Sequence, residues 1–221
     1  MKERPILFSA PMVRAILAGT KTQTRRAMRD QPCELLDFNR GGLSIRVRGA
    51  VYQAFSPTLP PVRCPYGQPG DRLWVRETFA KIDGQTQPWI ETDYRATYSH
   101  GDRLGDTLGV KKRWTPAIHM PRAASRITLE VAGVRVERLQ DISEADAQAE
   151  GCTMNHNGYF WGGPHAVSGL KQMATASSAY RDLWESINGP GSWGANPWVW
   201  VVEFKKVEGG AAIAKTQGSA N

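Results

Sequence analysis

Apolar residues recur at helical spacing near the start of the chain, where Met12, Val13, Ile16 and Leu17 form one stripe between Ser9 and Gly19. Ser9 suits an N-cap, Pro11 the first turn and Gly19 a left-handed stop, so the pattern predicts a short amphipathic helix over 10–18. The period changes at Asp71 to Phe79: Leu73, Val75 and Glu77 fall on one face and Arg72, Trp74, Arg76 and Thr78 on the other, which predicts a strand with a mixed face. A β-rich run from Ile127 to Leu139 is interrupted by Gly133, which predicts a bulge or bend. Ser143 with Asp146 resembles a capping box with Asp in place of Glu, and opens a helix over 144–150 that closes at Gly151. Tyr180, Leu183, Trp184 and Ile187 mark a further helix ending at Gly189, and the apolar run from Trp198 to Lys206 reads as a central strand. Between these elements, residues 27–70 predict hairpins and loops, 83–113 an elaborated loop around a strand at Tyr94 to Tyr98, and 153–174 a further loop. The small, polar stretch from Glu208 to Asn221 predicts a disordered tail.

The chain has 221 residues, of which 41% are hydrophobic and 22% charged, an ordinary globular balance with no apolar run near the length of a membrane span. The start of the chain lacks the apolar stretch of a signal peptide, and Cys33, Cys64 and Cys152 form no Cys-x-x-Cys pair. These features predict a cytoplasmic protein with reduced thiols, no metal and no membrane partner. The net charge of +7 is concentrated early: residues 1–48 hold ten Lys or Arg against four Asp or Glu. Such a field favours polyanionic partners.

The densest chemistry is the run Gly19-Thr20-Lys21-Thr22-Gln23-Thr24-Arg25-Arg26. Its plain reading is a solvated basic turn after a helix. Its chemical reading pairs Lys21 with Thr24 as base and nucleophile and gives Arg25 and Arg26 a phosphate or a polar base edge to hold. In a regular strand Thr22, Thr24 and Arg26 share one face, so Lys21 meets Thr24 only from the turn before the strand, which Gly19 permits. Glu150 falls at a helix C-terminus, where the helix dipole disfavours a carboxylate by roughly 0.3–1 kcal/mol at exposed sites.

On these residues the chain resembles the ASCH domains, small β-barrel proteins of the PUA-like superfamily associated with RNA. The carrying motif is Gly19-x-Lys21-x-x-Thr24-x-Arg26. The likeness extends to the preceding helix, to Pro69-Gly70-Asp71 before a strand, to Ile142 through Gly151 and to the strand from Trp200 to Phe204. Compact bacterial members are amidohydrolases that remove the acetyl group from N(4)-acetylcytidine. The resemblance implies Thr24 as nucleophile, Lys21 as its base and Glu150 as proton donor to the leaving amine. The chain is longer than those members and in this is similar to ASCH proteins of phages and prophages.

The resemblance implies an α+β fold: a PUA-like β-barrel of mostly antiparallel strands with a few flanking short helices. It implies one domain over 1–207, with insertions at about 27–70, 80–120 and 152–175 and a tail at 208–221, and a basic cleft in which Lys21, Thr24, Arg26 and Glu150 converge. Trp74, Arg76, Glu77, His119, Arg122 and Arg126 are further candidates for substrate or nucleic-acid contact: Trp74 and Arg76 to stack on and hold a base, Glu77 as a rival to Glu150. The expected activity is hydrolysis of an acylated nucleobase or nucleoside, most concretely N(4)-acetylcytidine to cytidine and acetate, with no cofactor and with a modified nucleoside or RNA as partner. The alternatives are a non-catalytic reader of RNA or a modified base, and a single-stranded RNA ribonuclease in which Lys21 and Glu150 act on a 2′-hydroxyl.

Overall fold

The computed structural model describes residues 1–29, 31, 63–83, 90–98, 113–161 and 173–207, and three further strands at 34–38, 42–47 and 50–53. The chain runs through β1 (Glu3–Leu7), α1 (Ala10–Leu17), β2 (Gln23–Ala27), β3 (Glu34–Phe38), β4 (Gly42–Val47), β5 (Ala50–Gln53), β6 (Arg72–Arg76), β7 (Phe79–Asp83) and β8 (Ile90–Tyr94). It continues through β9 (Thr128–Arg138), α2 (Glu144–Ala149), β10 (Thr153–Met154), β11 (Phe160–Trp161), α3 (Ala176–Asn188) and β12 (Trp198–Lys206). The expected tail at 208–221 and much of the three expected insertions lie outside the described residues.

The main sheet has five strands in the order β1-β6-β9-β12-β2. Its first pair, β1 with β6, is parallel and the others are antiparallel. Strands β3-β4-β5 form a separate meander, and β7-β8 and β10-β11 form two hairpins. The middle of the main sheet is buried on both sides, which is why β12 reads as an unbroken apolar run. Trp198, Trp200, Val202 and Phe204 of β12 pack on one face with Phe8, Leu73, Leu129 and the Val13 and Ile16 stripe of α1. Val199 and Val201 pack on the other face with Leu139, Ala147 of α2, and Tyr180, Leu183 and Trp184 of α3.

The sheet corrects the expectation of a PUA-like barrel: it is open, with β1 and β2 as its edges and no ladder between them. The physical reason lies in the first 27 residues. Pro5 removes a donor from β1, and α1 crosses between the two edge strands, burying Val13 and Ile16. What joins the edges is a side chain: Arg26 Nη2 donates to the Leu7 carbonyl at 2.5 Å.

Helices form where the stop and cap residues predict them, with Glu150 as the residue that closes α2 rather than part of its last turn. The expected strand from Asp71 to Phe79 is two strands in different sheets, parted at Glu77 and Thr78. The strand expected at Tyr94 to Tyr98 ends at Tyr94, and Arg95–Thr97 is a 3₁₀ turn whose Arg95 N–H donates to the Thr78 carbonyl. The irregularity expected near Gly133 is a bulge: Glu203 pairs with Gly133 and Phe204 with Val131, so Ala132 is an extra residue in β9. Helix α3 begins on a carboxylate from α2. Glu144 accepts from the Ala176 N–H at 2.7 Å and the Ser177 N–H at 3.2 Å, donors that a helix start leaves without intrahelical partners. Among the described residues no helix is long and apolar enough to cross a membrane.

Leu129 is fully buried between β6 and β12. Leu129→Ala is expected to cost about 2–5 kcal/mol of stability, read as a lower urea midpoint with an unchanged slope.

Candidate functional site

The turn after α1 sets the site. Gly19 takes a positive φ of 75°, and the Thr20 and Lys21 N–H groups both donate to the Ala15 carbonyl, which holds the turn tight. Lys21 then lies before β2 and forms an isolated antiparallel bridge with Glu150. Gly151, at φ 99°, lets the end of α2 approach this turn: a Cβ there would meet the Ala15 Cβ at 3.4 Å and the Lys21 Cβ at 3.5 Å.

This close approach seats the Lys21 amine on Glu150 twice, donating to its Oε2 at 2.7 Å and to its main-chain oxygen at 2.8 Å. Both side chains are buried, at 1% and 3% exposure. The other carboxylate oxygen of Glu150 accepts from Arg25 Nη1 at 3.4 Å. Arg25 also reaches Glu137 through Nε at 3.1 Å and Asp146 through Nη2 at 3.1 Å. Arg135 completes the cluster, bonding Glu137 at 3.1 Å and Asp146 at 2.9 Å and pairing with Glu203. Burial pulls the Arg25 guanidinium down, but Glu150 and Glu137 outweigh it and hold Arg25 above its ordinary range. Burial likewise pushes Asp146 up, and Arg135 and Arg25 outweigh it, so its carboxyl lies below the usual value.

A cleft of about 70 Å³ opens beside this cluster. It is lined by Thr24, Arg25, Arg26 and Ala27 of β2, by Glu150, by Met12 of α1, and by α3 through Tyr180, Leu183, Trp184, Ile187 and Asn188. Thr24 and Arg25 lie on opposite faces of β2: Thr24 pairs with Val202 of the α1-side core, and Arg25 with Val201 of the α2-side core. The Thr24 hydroxyl makes no hydrogen bond among the described residues. The Tyr180 hydroxyl is pushed well above its ordinary range by burial and then by the Glu150 charge, so it stays a protonated donor. Burial, then Glu150, pushes the Cys152 thiol up to about 12, which leaves it inert as a nucleophile.

The structure brings Thr24, Arg25, Arg26 and Glu150 to one cleft and joins Lys21 to Glu150, but it changes what the arginine and lysine charges face. Arg25 and Lys21 are enclosed and matched by carboxylates, so the site is not the open basic cleft expected from composition. Only Arg26 keeps a half-exposed side chain, stacked 5.3 Å over the Phe8 ring. None of Trp74, Arg76, Glu77, His119, Arg122 and Arg126 lines this cleft. Glu77 is buried and held by Arg126 at 2.9 and 3.1 Å, which removes it as a rival to Glu150. Arg126 lies 4.0 Å over the Tyr94 ring, and Arg76 donates to the Met120 carbonyl at 3.1 Å and to the Ile118 carbonyl while stacking on Trp74. Arg122 pairs with Glu3 at 2.9 Å, and His119 sits exposed in a 3₁₀ turn.

Sequence reasoning missed Glu137, Asp146, Arg135, Tyr180 and Trp184. Asp146 looked like a capping residue, yet its carboxylate reaches Arg25 and Arg135 while only its N–H is held by Ser143, at 3.1 Å. Arg135 and Glu137 are two apart on β9, and a charged pair on one strand face was the available signal. Among the described residues no group of His, Cys, Asp or Glu could hold a metal ion. None of the family models, curated proteins or solved structures compared with the chain matches it. The ASCH, PUA-like, hydrolase and acetylcytidine terms that the resemblance attached to the chain have no counterpart there, and the open sheet withdraws the barrel.

Removing one member of the buried pair strands the other charge. Lys21→Met or Glu150→Leu alone is expected to cost about 3–5 kcal/mol in chemical denaturation, and the double variant to recover most of that loss. Asp146 titrates lower in the folded than in the unfolded chain, so its contribution is present above its ordinary value of 3.8 and disappears as pH falls through its folded value. Asp146→Asn is expected to flatten the acid limb of a stability-against-pH curve below about pH 4.

Proposed function

We propose that the protein hydrolyses the amide of an acylated nucleobase or nucleoside, most concretely N(4)-acetylcytidine, at the cleft beside Lys21 and Glu150. The observation that carries this reading is the buried 2.7 Å contact between Lys21 Nζ and Glu150 Oε2, with Glu150 and the unengaged Thr24 hydroxyl lining one cleft. The motif from Gly19 to Arg26 adds the likeness to a family that uses the same three residue types.

An amide needs two things at once, a base for the attacking hydroxyl and an acid for the departing nitrogen. One proton moving across the Lys21–Glu150 contact supplies both, a neutral amine and a protonated carboxyl. Thr24 Oγ1 then attacks the acyl carbon and Lys21 takes its proton. The C–N bond breaks, and Glu150 gives its proton to the nitrogen of the base. The ion pair is restored, and the acyl group rests on Thr24. In the second half the proton crosses the Lys21–Glu150 contact again, water attacks the acyl carbon, the neutral Lys21 amine takes its proton, and the protonated Glu150 gives one to Thr24 Oγ1 as the C–O bond breaks, which restores the ion pair. Acetic acid leaves and ionises in solvent. The cleft also holds donors of the kind that stabilise an oxyanion, at Tyr180 and Trp184.

Incubation with N(4)-acetylcytidine is expected to yield cytidine and acetate in equal amounts by chromatography. Thr24→Val, which leaves no broken hydrogen bond among the described residues, is expected to fold normally and release nothing. Lys21→Ala is expected to lower the rate at least about 100-fold. Quantitative recovery of the intact nucleoside from the wild-type protein overturns the reading.

A further inference from the structure

The outer edge of β2 carries chemistry that the hydrolytic step leaves unused. Strand β2 joins β12 through Met28 N–H to the Trp198 carbonyl at 3.0 Å and Phe204 N–H to the Thr22 carbonyl at 2.8 Å. Hydrogen-bonding positions alternate along an antiparallel pair, so residues 24, 26 and 28 turn their main-chain groups toward β12, as does the Thr22 carbonyl. Gln23, Arg25 and Ala27 turn theirs away. Thr24 through Ala27 line the cleft consecutively although their side chains alternate between faces, which means that the cleft meets the strand edge-on.

One end of this edge is covered. Thr22 N–H donates to the Ala149 carbonyl at 2.8 Å and Lys21 bridges to Glu150, so the turn at the end of α2 occupies the edge beyond Gln23. The open part centres on the Arg25 carbonyl and the Ala27 N–H, which flank Arg26 and point the same way. It spans about 7 Å, short for an added strand, which usually needs about five or six residues, and suited to one planar group. Two more donors wait among the cleft-lining residues. Trp184 Nε1 and Arg26 Nε are both buried without a hydrogen-bond partner among the described residues.

We infer that the Arg25 carbonyl and the Ala27 N–H read a pyrimidine edge that carries a donor beside an acceptor, and that Trp184 Nε1 and Arg26 Nε serve its oxygens. Cytosine has such an edge in its exocyclic N4–H and ring N3, and N4 keeps one hydrogen when acylated. N4–H donates to the Arg25 carbonyl and Ala27 N–H donates to N3. This holds the scissile nitrogen next to Thr24, the neighbour of Arg25. The identity of the base rests on the hydrolytic reading; the two-point edge does not.

The test is calorimetric titration of the Thr24→Val protein with three ligands: N(4)-acetylcytidine, its 3-deaza analogue, which lacks the N3 acceptor, and its N4-methyl analogue, which lacks the N4–H donor. Each analogue is expected to bind about tenfold more weakly. Adding Ala27→Pro removes the Ala27 N–H, the donor assigned to N3, and proline is tolerated at such an edge position. That variant is expected to keep its melting midpoint and lose the discrimination against the 3-deaza ligand alone. Equal binding of the three ligands, no binding of any, or discrimination that survives Ala27→Pro overturns the inference. Acetate release by the wild-type protein is measured separately. Discrimination without release defeats only the hydrolytic reading, and release without discrimination defeats only the edge.

Discussion

The enclosed guanidinium of Arg25 organises this protein. It lies on an edge strand, yet its side chain is wholly buried and faces Glu137, Asp146 and Glu150. A cation in that position is tolerable only if carboxylates arrive with it, and they come from β9, from α2 and from the residue that closes α2. Satisfying one arginine therefore fixes where three parts of the chain meet. Lys21 enlarges the arrangement by a second cation against Glu150, so neither the turn after α1 nor the end of α2 can shift without exposing a charge to an apolar wall.

Around that cluster the sheet provides two unlike environments. On the α1 side β12 contributes its tryptophans and Phe204 to a large apolar layer, and Thr24 looks toward it. On the α3 side the valines of β12 leave room for the charged side chains of β2 and β9 to spread under Tyr180. Because the sheet stays open at β2, both environments border the same cleft. A closed barrel would have paired that edge with β1 and removed the cleft. The carboxylate of Glu144 at the start of α3 ties the wall of the cleft to the helix that delivers Glu150.

Much of the local architecture was readable from the chain because short-range rules govern it. Ser143 and Gly151 bracket α2, Gly19 stops α1, and the apolar run at Trp198 is a central strand. The openness of the sheet was not readable, since it follows from which strands α1 separates, a long-range matter that periodicity does not encode. The roles of Arg25 and Arg26 diverge for the same reason. Adjacent in sequence and chemically alike, they point to opposite faces, one into carboxylates and the other over Phe8. The second group of candidates shows how charge and aromatic residues on one strand mislead: Arg76, Arg126 and Glu77 are spent on carbonyls and on each other.

The extra residue in β9 has a reach far beyond its own kink. Before Ala132, the odd-numbered Leu129 and Val131 face the α1-side core; after it, the even-numbered Val134 and Val136 do. The bulge thus reverses the phase of the strand while β12 keeps its own alternation unbroken. Arg135 and Glu137 are odd-numbered, and only this reversal sends them to the face where Arg25 lies. Were Ala132 paired with Glu203 instead of bulged, every later residue of the strand would slip by one position, Arg135 would fall opposite Trp200, and both charges would enter the tryptophan layer and leave Arg25 short of partners. The electrostatics of the cleft therefore depend on a residue that stays out of the ladder: one alanine, without a polar atom in its side chain, decides by its bulge which side of the sheet is ionic.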